Sequence, residues 1–463
     1  MTKICILYII FIINSNRKTV PAPILRRVLK NGGSMLYYSD AVTAGRSHAA
    51  PRPSTGIRTD CEKVSEMNIE EALGELAATV EAERRPLVET AKTIWENPET
   101  AFAERKASGL LVGLLKRYGF SVEYPYAGME TAFRAEYTRG IGGATFAFAA
   151  EYDALVGLGH ACGHNLSGVA SVAAAYAAKV YMEKHDLAGR IVVLGTPAEE
   201  RGGGKVLMLR NSDCLEDVDA VMMAHASGGK TKRDAGCNGI RAFEVTFRGL
   251  AAHAAGSPEK GINALDAQVL LFDAIGLYRQ QMDREALIHG IITEGGDAAN
   301  VIPDSTRCRI GIRSKRKEIV DKVYARFAKM VEGAALMTGC SFEIDEYAVP
   351  YKPRKPNRVL NDLYMAAARE LDMNVSDELP SGRGASDFGD FSQVVPGAHP
   401  YFGIAEPGQS TAPGHSELLK SYANSRYGYD SMLKAGAALA YCALAVLADE
   451  GTRAAVRREF AGS

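Results

Sequence analysis

Residues 144–184 constrain this chain most. Ala144–Ala150 is a short apolar run that reads as a buried strand. It passes into Glu151-Tyr-Asp-Ala-Leu-Val-Gly-Leu-Gly-His-Ala-Cys-Gly-His-Asn165. Leu166–Lys184 then reads as a helix whose many alanines suit close packing on a sheet. Strand, turning loop and helix in that order are the unit of an α/β layer. The loop glycines let the backbone turn where bulkier residues could not. It aims Cys162 and His164, two residues apart, and thiolate and imidazole together suit zinc, manganese or cobalt. Their partners must come from elsewhere in the chain.

The alternation recurs. Arg190–Leu194 is a strand ending in Gly195-Thr-Pro-Ala-Glu-Glu200, followed by a glycine loop and a helix near Val206–Arg210. Ala220–Ala224 is a further strand, ending at His225. Upstream, Leu73, Leu76, Ala77, Val80, Leu87, Ala91 and Ile94 recur at helical spacing. The pattern predicts an α/β fold with a mostly parallel sheet flanked by helices. Around Gly236 the rhythm changes. Strands at Ile240–Arg248, His289–Glu294, Ser305–Arg313 and Ser341–Tyr347 enclose helices at Gly261–Gln281 and Lys317–Met337. That β-α-β-β-α-β order fits a ferredoxin-like α+β insert over 238–350. The flanking α/β parts are then 67–237 and 351–463.

Residues 1–66 differ from the rest of the chain. Ile4–Ile13 is about as long as a signal-peptide core, with only Lys3 before it and no clear cleavage site close behind. A signal or anchor, a targeting extension, and upstream sequence ahead of a true start at Met67 all compete. Mis-assigned start or plain disorder is favoured, because organised sequence begins abruptly at Met67. The expected location is therefore cytoplasmic. A net charge of −1 argues against nucleic-acid and membrane-surface partners, which call for a basic excess. The eight cysteines show no paired short spacing and read as reduced thiols.

Candidate ligands sit where strands end, which is where open α/β sheets place their sites. They are Cys162 and His164, Glu199 and Glu200, His225, and His415 in Thr411-Ala-Pro-Gly-His-Ser416. Each alone has a bland reading: a surface histidine, a solvated glutamate pair, a small buried cysteine. Their recurrence at successive strand ends is harder to dismiss. With the glutamate pair counted once, five donors exceed the three protein ligands of a catalytic zinc and suit two metals sharing a bridge. Adjacent glutamates point differently, so one is read as a ligand and the other as a general base. His160 is read as supporting or structural. Asp153 is a candidate for orienting His164, since ligating histidines donate their other N–H to a carboxylate or carbonyl. Dinucleotide, phosphate-loop and zinc-deaminase motifs fail at required positions.

These residues resemble the peptidase M20 family of metallopeptidases and amidohydrolases, in the branch with Cys in its metal motif. The matching motifs are Glu151-Tyr-Asp-Ala-Leu155, Gly159-His-Ala-Cys-Gly-His-Asn165, Gly195-Thr-Pro-Ala-Glu-Glu200, Ala224-His225-Ala226 and Gly249-Leu-Ala-Ala-His253. Asn300-Val-Ile-Pro-Asp304, Ser386-Asp-Phe-Gly389 and Pro413-Gly-His415-Ser complete the set, in family order. The resemblance implies a catalytic domain, here 67–237 with 351–463, that holds two divalent metals (Zn or Mn, with Co tolerated). The insert, 238–350, would be a dimerisation or lid domain. It implies Cys162, His164, Glu200, His225 and His415 as ligands, Cys162 as the bridge and Glu199 as the base. His253 would reach a neighbouring subunit's site and stabilise the oxyanion. Asn300 would contact substrate, and Arg313 and Arg383 are candidates for its carboxylate. Val156 departs from a frequent Pro, Asp390 from a frequent Asn, and the first 66 residues have no counterpart.

The expected function is that of a metal-dependent amidohydrolase or dipeptidase. It would cleave a dipeptide or N-acyl amino acid with a metal-activated water. It would work as a homodimer, without nucleic-acid or membrane partners. An aminoacylase-like or aminobenzoyl-glutamate-type deacylase is the same-class alternative. A non-catalytic binding protein on the same scaffold is the different-class one.

Overall fold

A computed structural model describes residues 68–462 apart from Ser381 and Arg383. The expectations for residues 1–66 and for Arg383 lie outside them. The chain opens with α1 (Ile69–Ala82), α2 (Arg84–Glu96) and α3 (Arg105–Arg117). Then come β1 (Ser121–Glu123), β2 (Phe133–Arg139), β3 (Thr145–Ala150), α4 (His164–Lys184) and β4 (Gly189–Gly195). They are followed by α5 (Gly204–Asn211), β5 (Ala220–Met222) and β6 (His225–Ser227). The middle segment holds β7 (Gly239–Arg248), β8 (Ala252–His253), α6 (Ala264–Tyr278), β9 (Leu287–Glu294) and β10 (Val301–Ile302). It continues with β11 (Ser305–Ser314), α7 (Lys317–Thr338) and β12 (Ser341–Glu346). The last part runs through α8 (Arg358–Glu370), α9 (Phe388–Ser392), β13 (Gly397–Ala398) and β14 (Tyr401–Gly403). It ends in α10 (Glu417–Tyr422), α11 (Arg426–Ala448) and α12 (Glu450–Gly462).

The main sheet has the order β1-β2-β4-β3-β5-β13. Its β4–β3, β3–β5 and β5–β13 pairs are parallel, and β1–β2 and β2–β4 are antiparallel. Strand period decides its two faces. Phe146, Phe148 and Ala150 of β3 enter the larger core with α4 and α11, while Ala147 and Ala149 face the smaller core with Met208, Phe388 and Phe391. The whole of β3 is therefore buried, as its unbroken apolar run predicts. The alanines of α4 let α11 approach closely. A Cβ on Gly436 would lie 3.0 Å from the Ala173 Cβ. Among the described residues α11 is the helix long and apolar enough to cross a membrane, and it is buried in this core.

The expected strand ending at His225 is two strands. β5 pairs with β3 and β13, and β6 then pairs in parallel with β14 in a separate small sheet. The chain changes partner there because β13 and β14 are themselves offset by His399-Pro400. His225 thus opens a strand, and its place is fixed by its backbone bond to Pro400 O at 2.9 Å.

The middle segment builds an antiparallel sheet in the order β12-β7-β11-β9. Numbered along the segment this is 4-1-3-2, the ferredoxin-like arrangement. α6 and α7 cover one face, enclosing Phe243, Val245, Phe247, Leu271, Ile310 and Phe327 in a separate core. β9 is an edge strand and is largely exposed, with Ile291 63% accessible. The two chain crossings between this segment and the main layer are paired. Ile240 N–H donates to Tyr351 O at 2.9 Å and Tyr351 N–H to Ile240 O at 3.1 Å.

Candidate active site

The site collects at the ends of β3 and β4 and the start of β6. The loop after β3 turns at Gly163 with φ 80°, and a Cβ there would lie 2.6 Å from the Ala226 Cβ. Only glycine meets both demands. This turn puts Cys162 and His164 beside β6. Cys162 Sγ is 3.4 Å from His225 Nε2, which is 3.3 Å from His164 Nε2. His415 Nε2 is 3.5 Å from Glu200 Oε1. Ligand atoms of Cys162, His164 and His225 lie within 4.8 Å of one another, and so do those of Cys162, Glu200 and His415. Cys162 belongs to both groups.

Hydrogen bonds fix which ring nitrogens face inward. His164 Nδ1–H donates to Asp153 Oδ1 at 2.9 Å, and His225 Nδ1–H to the Ala226 carbonyl at 2.7 Å. Against burial, Cys162 and Asp153 hold His164 well above the usual imidazole range; once it gives up that proton, two Nε2 lone pairs face each other across 3.3 Å. A cation between them turns that repulsion into binding, and the nearby thiol and carboxylate complete an N, S, O donor set. The donors fit a divalent metal. Burial, then the nearby His164, pushes His225 down to about 4, which keeps its ring a lone-pair donor. Burial works against ionising Glu200, but the His415 imidazole holds it down to about 2. Glu199 is opposite in sense. Burial, then the carboxylates of Glu151 and Glu200, hold it well above the usual range.

The turn carrying Glu199 and Glu200 is held by three side chains. Ala198 N–H donates to Glu104 Oε1 at 2.8 Å, Glu200 N–H to Asp153 Oδ2 at 3.0 Å, and the Tyr351 hydroxyl to Glu199 O at 2.8 Å. Behind the site, Lys205 Nζ sits 2.6 Å from Glu151 Oε1 and 2.6 Å from Asp387 Oδ1, all three side chains fully buried. A lone buried lysine is costly, and two carboxylates compensate it. Sequence reading missed Glu104, Lys205, Tyr351 and the roles of Glu151 and Asp387. Only Glu151 and Asp387 carried a signal, as members of recognisable motifs.

Cys162, Glu199, Glu200, His225 and His415 line a cavity of 620 Å³, with Arg313 on its wall. Arg313 Nε has no hydrogen-bond partner among the described residues. His160 is buried beside these residues and belongs to none of the ligand groups. His253 and Asn300 are elsewhere. His253 pairs with Val301 across β8 and β10, is exposed, and does not line this cavity. Ala254 N–H donates to Asn300 O at 2.9 Å, so the two segments lie together.

Residues 143–452 match the family described as Peptidase family M20/M25/M40. A mouse (Mus musculus) Xaa-Arg dipeptidase is 36% identical over 385 residues, spanning 80% of this chain and 87% of that protein. The chain belongs to peptidase family M20. As an M20 protein it is a hydrolase of peptide or amide bonds. A p-aminobenzoyl-glutamate hydrolase subunit of Escherichia coli (strain K12) is also 36% identical, over 62% of this chain and 63% of its own. A Bacillus subtilis crystal structure, a dinuclear metal binding peptidase from the M20 family, superposes with a TM-score of 0.56. It shares 19% identity, covers 76% of this chain and 98% of that one, and shows the common fold. Of the departures from the family pattern, Val156 is exposed, and Asp390 is buried and accepts the Lys352 N–H at 2.9 Å.

Proposed function

We propose that this chain is a two-metal hydrolase that cleaves the amide bond of a dipeptide or N-acyl amino acid. The observation that carries this reading is Cys162 Sγ standing in two ligand groups at once, with Glu199 beside them. Cys162, His164, Glu200, His225 and His415 would hold the ions, with Cys162 between them. Two divalent ions, when bound, polarise the scissile carbonyl and lower the pKa of a water toward neutrality. Glu199 takes the proton of the attacking water and delivers it to the amide nitrogen. The C–N bond breaks as that nitrogen gains its proton, giving a carboxylic acid and an amine. Asp153 keeps His164 in the tautomer that ligation needs.

The Nε of Arg313, without a partner among the described residues, supports a substrate with a free carboxylate, which a guanidinium can grip through two N–H bonds. The mouse and bacterial relatives named for Xaa-Arg dipeptides and p-aminobenzoyl-glutamate support the two halves of this substrate class. A homodimer is supported by the open edge of β9 and by the place of His253. Exposed and outside its own cavity, His253 is free to serve as the oxyanion donor of a neighbouring copy's site. Zinc, manganese and cobalt all suit the donors.

Alanine at Glu199 is expected to abolish turnover while metal content, measured by elemental analysis, stays at the wild-type level. Near-normal turnover in that variant would remove the mechanism. A panel of N-acyl amino acids, aminobenzoyl-glutamate and dipeptides ending in Arg or Lys, run after chelation and readdition of each metal, assigns substrate and ion together.

A further inference from the structure

We infer that Tyr351 is a positioning residue for the general base, and that it ties the base to the crossing between the main layer and the middle segment. The inference rests on Glu199 being that base. Ala198, the residue before it, has φ 60°, a left-handed conformation that costs a residue with a Cβ about 1 kcal/mol or more. Such a residue persists only where its surroundings over-determine it. Here three side-chain bonds do so. Two of them, from Glu104 and Asp153, come from the main layer itself. The third is the Tyr351 hydroxyl on the Glu199 carbonyl, and it alone of the three acts on the base residue's own backbone.

Tyr351 is placed only in part by the main layer, where Asp390 accepts from the next residue, Lys352. It stands in the second crossing, locked by its backbone to Ile240 in the first. Its ring packs against the turn as well, since a Cβ on Gly203 would lie 2.9 Å from Tyr351 Cε1. Tyr351 lines the catalytic cavity on one side and a second cavity of 760 Å³ on the other. That second cavity is bounded by both parts of the chain, with Leu209 and Cys214 from one and Lys317 and Val320 from the other. A movement of the middle segment at its crossings therefore reaches the Glu199 carbonyl through one rigid ring.

Tyr351→Phe removes the hydroxyl and keeps both the ring and the backbone pair. With the enzyme loaded with its metal, kcat is expected to fall about tenfold, the worth of one hydrogen bond made in a dry site. KM, metal content and thermal midpoint should hold. The double variant Tyr351→Phe, Ala198→Gly should recover part of the lost kcat, because glycine adopts the left-handed conformation without a clash. A kcat within about twofold of wild type in Tyr351→Phe overturns the inference, being well short of the loss expected for one hydrogen bond. So does a rise in KM at constant kcat, or a loss of kcat that follows a lower metal content or midpoint. Absence of recovery in the double variant overturns it as well. Glu199→Gln in the same assay separates the two ideas. Activity surviving there removes the base assignment, whereas a dead Glu199→Gln beside a wild-type-like Tyr351→Phe removes only the role of Tyr351.

Discussion

Asp153 shows how one side chain can serve two ligands. Its Oδ1 accepts from His164 and its Oδ2 from the Glu200 backbone. Asp153→Ala frees both, and metal affinity is expected to fall about 10–100-fold in chelator competition. Glu104 serves the same turn at a different cost. Burial is the main force that pushes its carboxyl from 4.5 up to about 7, with the charge of Asp153 adding to it. The folded state therefore favours the protonated acid. The stability this group contributes is complete below pH 4.5 and is lost as pH rises through 7. Glu104→Gln keeps an acceptor for Ala198 N–H and carries no charge. In denaturant melts its stability should match wild type near pH 5 and exceed it at pH 8, by an amount on the order of 1–3 kcal/mol. Equal gaps at the two pH values would refute the assignment.

At the scale of elements, the site depends on how closely α11 packs on α4, because α4 starts at His164. The contact at Gly436 has no spare room, with the Ala170 carbonyl only 3.2 Å and the Ala173 Cβ 3.0 Å from an added Cβ. Gly436→Val is expected to destabilise the fold by about 1–3 kcal/mol. It should also lower metal affinity by tilting the first turn of α4. Denaturant melts with and without metal check both effects. The α4 alanines are legible in the sequence as a face for packing on a sheet, and the fold adds α11 to what packs on them. The glycine that faces them, far along the chain, could not be recognised, because a small residue reads the same whether it opens space or closes it.

The whole molecule poses the question of a shared site. In the proposed dimer Glu199 and His253 act in one site from two chains. Glu199→Ala and His253→Ala should each be nearly inactive, the second by about 10²–10³ in rate. Mixed after dissociation and reassociation, the two should regain about a quarter of wild-type activity, since about half the dimers carry one intact site. No regain would place both residues in one chain's chemistry. Charge on the β9 edge, as in Ile291→Lys, should shift the species seen by sedimentation toward monomer.

The sequence by itself determined the layer type, and it set out an insert and a candidate donor set. Strand and helix periods are local, and ligands at successive strand ends need only the order of the chain to be read. Cys162 with His164, the Glu199-Glu200 pair, His225 and His415 were all legible in this way. What the tertiary structure alone decided is the support behind them. The phosphate-loop pattern fails around Lys205 and leaves it no role in the sequence; folding puts Glu151 and Asp387 around it. Tyr351 carries no signal in the sequence, and only the fold brings its hydroxyl to the Glu199 carbonyl. These contacts join segments 54 to 182 positions apart. Packing sets such distances, and no spacing in the chain records them.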